Sequence, residues 1–110
     1  MDPLTASIVM VLGKYALDKG VELGKEVGPK ALDTAKEMFQ VVLDRVKKVD
    51  SRTAEKYPAN PEGYQVPMAD AVEEATEADA EFKAQLQALL EKYEELAQAH
   101  AVATGRTYQA

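Results

Sequence analysis

The chain has 110 residues, the length of one ordinary domain, and is 46% hydrophobic but only 6% aromatic, with no Trp and no Cys. The lack of Cys excludes a disulfide framework, a thiolate nucleophile and Cys-based zinc or iron–sulfur sites, and a single His cannot build a multi-histidine metal site. A net charge of −6 argues against nucleic acid as a partner, since such proteins carry a basic face.

The charge is unevenly placed. Residues 1–50 hold as many basic as acidic side chains, so the whole negative balance lies in residues 51–110. Asp70, Glu73, Glu74, Glu77, Asp79 and Glu81 follow one another without a base. The run reads as a solvated helix face with acids near helix N-termini, where the dipole favours them, or else as an acidic docking surface.

The opening Met1-Asp2-Pro3-Leu4-Thr5-Ala6-Ser7 carries an acid where a secretory signal needs bases, so export is not expected. Residues 3–17 are uncharged except for Lys14. As a helix they measure about 22 Å, short of the bilayer core of about 30 Å. Asp2 suits the cap of this first helix and Pro3 its first position. Leu4, Ile8, Val11, Leu12 and Tyr15 recur at helical spacing, while Val9, Met10 and Leu17 make the segment apolar nearly all round. Such a helix is either fully buried or meant for lipid. Gly13, Gly20, Gly24 and Gly28 continue one stripe with Leu17. Glycine within a helix costs about 1 kcal/mol against Ala, so four of them imply close helix packing, either within a soluble bundle or of the small-xxx-small kind.

Gly28-Pro29 ends that pattern and restarts it. Leu32, Ala35, Phe39, Val42, Val46 and Val49 alternate steps of three and four, which predicts a second, amphipathic helix to about Lys48. Residues 57–67 contain three Pro and one Gly and read as a loop, pinned by its tyrosines, with a short helical turn at residues 53–56. A third helix is expected from Pro67 to about Glu77, with Met68, Val72 and Ala75 inward. Asp79 then caps a fourth, in which Phe82, Leu86, Leu89, Tyr93, Leu96 and His100 repeat the three–four alternation. No segment alternates with period two. The expected fold is all-α, an antiparallel four-helix bundle over residues 1–103, with residues 104–110 beginning a C-terminal linker.

Catalytic chemistry is not legible. His100 lies near a helix C-terminus, where a base is a common cap. A di-metal carboxylate bundle needs Glu-x-x-His pairs on two helices, which one His cannot supply. Gly20-x-x-x-Gly24-Lys25 lacks the hydroxyl residue of a phosphate loop and follows no strand. No catalytic residue, metal ligand or cofactor is assigned.

The N-terminal run Met1-Asp2-Pro3-Leu4-Thr5-Ala6-Ser7-Ile8-Val9-Met10-Val11-Leu12-Gly13 resembles that of bacterial Bell domains, analogues of the fungal HeLo and HELL domains and of the four-helix executioner domain of necroptosis. The resemblance implies a membrane-permeabilising cell-death effector, cytoplasmic at rest and recruited to the inner face of the cell membrane. It implies homo-oligomerisation on activation, with membrane lipids as partners and a receptor engaged through a C-terminal amyloid-signalling motif beyond Ala110. Leu4, Ile8, Val9, Met10, Val11, Leu12 and Leu17 would then enter the membrane, and Gly13, Gly20, Gly24 and Gly28 would pack helices. The alternative is an adaptor module that binds another protein's helix or its own copies, with no membrane role and the acidic run as its surface.

Overall fold

The computed structural model describes residues 1–105, in which all regular structure is helical. Six α-helices form where four were expected: α1 (Pro3–Ala16), α2 (Val21–Val27), α3 (Pro29–Val49), α4 (Ser51–Lys56), α5 (Gln65–Ala78) and α6 (Ala80–Ala103). Of the expected linker, Arg106 to Ala110 lie outside the described residues.

Two extra helices arise because the first predicted helix is broken and the predicted helical turn at residues 53–56 is extended by a cap. Leu17–Gly20 forms a tight turn in which Asp18, Lys19 and Gly20 all take positive φ (46°, 58° and 81°). This left-handed run reverses the chain between α1 and α2. The expected single glycine stripe therefore does not exist on one helix: Gly13 lies in α1, Gly20 in the turn, Gly24 in α2 and Gly28 at the next junction. Gly28 has φ 87° and ψ 167°, a region open to glycine alone, and Pro29 starts α3 directly after it.

Three helices begin on an aspartate. Asp2 accepts from the Thr5 amide at 2.8 Å and from the Thr5 hydroxyl at 3.1 Å. Asp50 repeats this on Thr53, at 3.1 Å and 2.6 Å, and thereby starts α4. Asp79 accepts from the amides of Glu81 and Phe82. Each carboxylate satisfies N–H groups that a first helical turn leaves without an intrahelical partner.

α3 and α6 form the longest contact and run antiparallel. Arg45, late in α3, reaches Asp79 at the start of α6, while Gly28, just before α3, lies against His100 near the end of α6. α4 and the tyrosine-rich turn fold the chain back along α3, where the Tyr57 ring sits 6.3 Å from that of Phe39. α5 consequently runs in the same direction as α3 and returns into α6 through the single residue Asp79. α1 touches α3, α5 and α6.

The core is aliphatic. Ile8, Leu12, Met38, Val42, Val46, Met68, Val72 and Leu86 are fully buried, together with Tyr57 and Tyr93. On α3 the buried stripe is Ala31, Thr34, Ala35, Met38, Val42 and Val46. It is turned slightly from the predicted one, leaving Leu32 and Phe39 half-buried and Val49 exposed. Tyr57 does pin the loop, and Tyr64 packs half-buried on the core. α5 starts at Gln65, two residues before the predicted Pro67, since Pro is tolerated anywhere in a first turn.

Candidate functional site

The seven apolar residues expected to meet a membrane divide into three groups. Ile8, Val9, Val11 and Leu12 are buried, Leu4 is half-buried against the core, and Met10 and Leu17 are 52% and 61% exposed. α1 is thus docked on the protein by one side and shows apolar surface on another.

Met10 stands between two grooves. One, of about 360 Å³, runs between α1 and the residues around Tyr57, Pro61 and Gln65, with Gly13, Lys14 and Leu17 on its near wall. The other, of about 160 Å³, separates α1 from α6 and is lined by Ser7, Met10, Val11, Leu90 and Tyr93. Lys14, the one charged residue of α1, borders both. Its Nζ lies 3.9 Å from Glu26 Oε1 across the bend, with both side chains about half exposed. An exposed pair of this kind contributes at most about 1 kcal/mol.

The bend that positions α1 is itself costly. A non-glycine residue in the left-handed region loses roughly 1–2 kcal/mol, and Asp18 and Lys19 are both there. Burying one Val, Leu or Ile side chain returns roughly 1.5–3 kcal/mol, and α1 buries four. The burial on α1 exceeds the backbone cost of the bend.

The glycines serve close approach, but of side chains rather than of another helix backbone. A Cβ at Gly20 would meet Leu32 and Tyr15 at 2.8 Å, and one at Gly24 would meet Leu32 at 2.9 Å. At Gly28 it would fall 2.5 Å from Nδ1 of His100. Of these four, Gly13 alone has ordinary room, with the Tyr57 hydroxyl at 3.7 Å. His100 is therefore a packing partner of the α2–α3 junction, a role its place near a helix end did not reveal.

Burial pushes the Tyr57 phenol up to about 12. The Asp79 carboxyl is held below its ordinary value first by the Phe82 amide and then by the Arg45 guanidinium. Among the described residues no cluster of three or more His, Asp or Glu side chains could hold a metal ion, and no helix is long and apolar enough to cross a membrane.

Sequence reasoning missed the bend at Asp18, Lys19 and Gly20. Its signal was the polar triplet ending in glycine after an apolar helix, a common C-terminal helix stop. No family model matches this chain, and no curated protein or solved structure is significantly similar to it.

Proposed function

We propose that this chain is the N-terminal effector domain of a bacterial cell-death system. Clustering of copies through a C-terminal segment turns α1 against the inner face of the cell membrane and permeabilises it. α1, α3, α5 and α6 form the four-helix bundle of such an effector, with α2 and α4 as short connecting helices. The observation that carries the reading is the composition and setting of α1: fourteen residues with a single charge, docked by one face and exposing Met10, with Leu17 exposed just after it.

One such helix is too short to span a bilayer. Several held together thin or perturb it, and clustering turns each Lys14 toward a shared polar interior. That relieves a burial cost of about 2.5–3.5 kcal/mol per lysine. The test is dye leakage from phosphatidylglycerol-containing vesicles by the domain fused to an inducible oligomeriser. Leakage should appear on clustering, and its absence at every lipid composition would overturn the reading.

A second reading, a helical adaptor without a membrane role, draws on α5. Asp70, Glu74 and Glu77 are exposed there, and the helix carries no basic residue. Salt-sensitive association in solution, with no vesicle leakage, would favour it.

A further inference from the structure

We infer that Asp18, Lys19 and Gly20 form a two-state hinge, and that α1 and α2 are the folded halves of one helix spanning residues 3–27. Two independent observations converge on this. The first is the backbone: two consecutive non-glycine residues are held left-handed, a conformation relieved by continuing the helix through them. The second is the phase of the sequence, which a left-handed turn between unrelated helices would have no reason to keep.

Wound at 3.6 residues per turn, Lys14, Asp18, Lys19, Glu22, Lys25 and Glu26 fall within an arc of about 140°. On the other side Val9, Gly13, Ala16, Gly20, Leu23 and Val27 follow steps of four, three, four, three and four. This is the spacing of a continuous apolar seam. Val9 and Gly13 belong to α1, Leu23 and Val27 to α2, and the register passes through the bend without a slip. The straight helix is amphipathic over residues 13–27, whereas over residues 4–12 it is apolar nearly all round, with Leu4, Ile8 and Val11 on the side of the charges.

The bent state is held shut from both sides. Ile8 and Leu12 anchor α1 in the core, Leu23 and Val27 anchor α2, and the Gly20 site fits between Tyr15 and Leu32 with no room for a Cβ. Lys14 and Glu26 face each other across the turn. In the straight state their Cα atoms stand about 18 Å apart, twelve residues along one helix.

The chain contains no Cys, so spin labels on a Lys14→Cys/Glu26→Cys pair report this distance alone. Pulsed electron paramagnetic resonance on the whole chain in solution should give a single short distance. Adding Gly20→Ala, which penalises the left-handed turn and favours the helix, should bring up a second population at the straight-helix separation. Lys19→Gly does the opposite: it eases the turn and weakens the helix, so it should raise the melting temperature and keep the short distance alone. A folded Gly20→Ala chain with the short distance only would overturn the hinge. So would a Lys19→Gly chain that melts no higher than the parent, which remains readable should Gly20→Ala fail to fold. Vesicle leakage measured on the same samples is a separate readout. Straightening without leakage would leave the hinge standing and sink the effector reading.

Discussion

Arg45 clamps the joint between α5 and α6 through Asp79: its Nη1 lies 2.9 Å from the Asp79 carboxylate that caps α6, and its guanidinium sits 4.4 Å from the centroid of the Phe82 ring. One side chain of α3 thus fixes where α5 stops and where α6 starts. A planar guanidinium can stack on the ring while it pairs with the carboxylate, a geometry that a compact ammonium fits less well.

Arg45→Lys should therefore destabilise the domain although charge is kept. The stacking component is worth about 0.5–1 kcal/mol at a partly exposed ring. Urea unfolding at low and high salt separates the two contributions. High salt should narrow the gap between Arg45→Ala and the parent, because it screens the ion pair, and should leave the part due to stacking on Phe82.

Acid should weaken the helix starts together. The Asp2 carboxyl is lowered mainly by the Thr5 amide, that of Asp50 by the Thr53 hydroxyl, and that of Asp79 by the Phe82 amide. Groups depressed in the folded state stabilise it above their unfolded value, near 3.8, and lose that contribution as pH falls through the lower folded value. Melting temperatures should hold until about pH 4 and fall below it. Replacing all three by Asn, which caps as well but does not titrate, should flatten that acid limb.

Alkali acts through Tyr57. Its phenol titrates near 12 in the folded chain against 10.0 ordinarily, so stability is intact below pH 10.0 and lost as pH rises toward the folded value. A shift of this size corresponds to on the order of 2–3 kcal/mol. Unfolding followed by circular dichroism should show Tyr57→Phe retaining more of its neutral-pH stability at high pH than the parent does. Equal alkaline losses in the two chains would count against the burial assigned to Tyr57.

The glycines should rank by backbone, not by burial. Gly28→Ala meets both a forbidden φ and the His100 ring, and the backbone part alone costs about 1–3 kcal/mol. His100→Ala should recover only the steric part. Gly24→Ala lies inside α2, gains helix propensity and displaces one Leu32 methyl, so its net effect should stay within about 1 kcal/mol. A melting series of these single and double variants decides the ranking.

How far the sequence can be read follows from where its signals are local. Asp2-Pro3, Gly28-Pro29 and Asp79 announce helix starts by cap chemistry, and all three stand where expected. The stripes of α3 and α6 are periodic over five turns or more, so their burial is legible to within a small rotation. Residues 1–27 are not legible in the same way, because they carry a periodic pattern that suits one helix. Which face is buried depends on contacts with Leu32 and Tyr15 that no local signal encodes, and the turn at Asp18 has only the polar triplet ending in Gly20 to announce it. The same holds for Met10 and Leu17: their exposure is set by where α5, α6 and the tyrosine turn end, not by their own spacing.

That exposure permits a cleaner test of the effector reading than any core substitution. Leu12→Asp would bury an unpaired carboxylate and unfold the domain, whatever α1 does at a membrane. Met10→Glu and Leu17→Glu change residues already in contact with water, and at position 10 the new acid stands four residues before Lys14, a favourable helical spacing. The double variant should unfold within about 0.5 kcal/mol per site of the parent. Carrying a carboxylate into a bilayer, however, costs about 2.5–3.5 kcal/mol near a helix centre. When clustered, the double variant should lose most of its vesicle leakage and its toxicity in bacteria at matched expression. Retained toxicity with an intact fold would place the activity outside α1, and the acidic face of α5 would then be the surface to pursue.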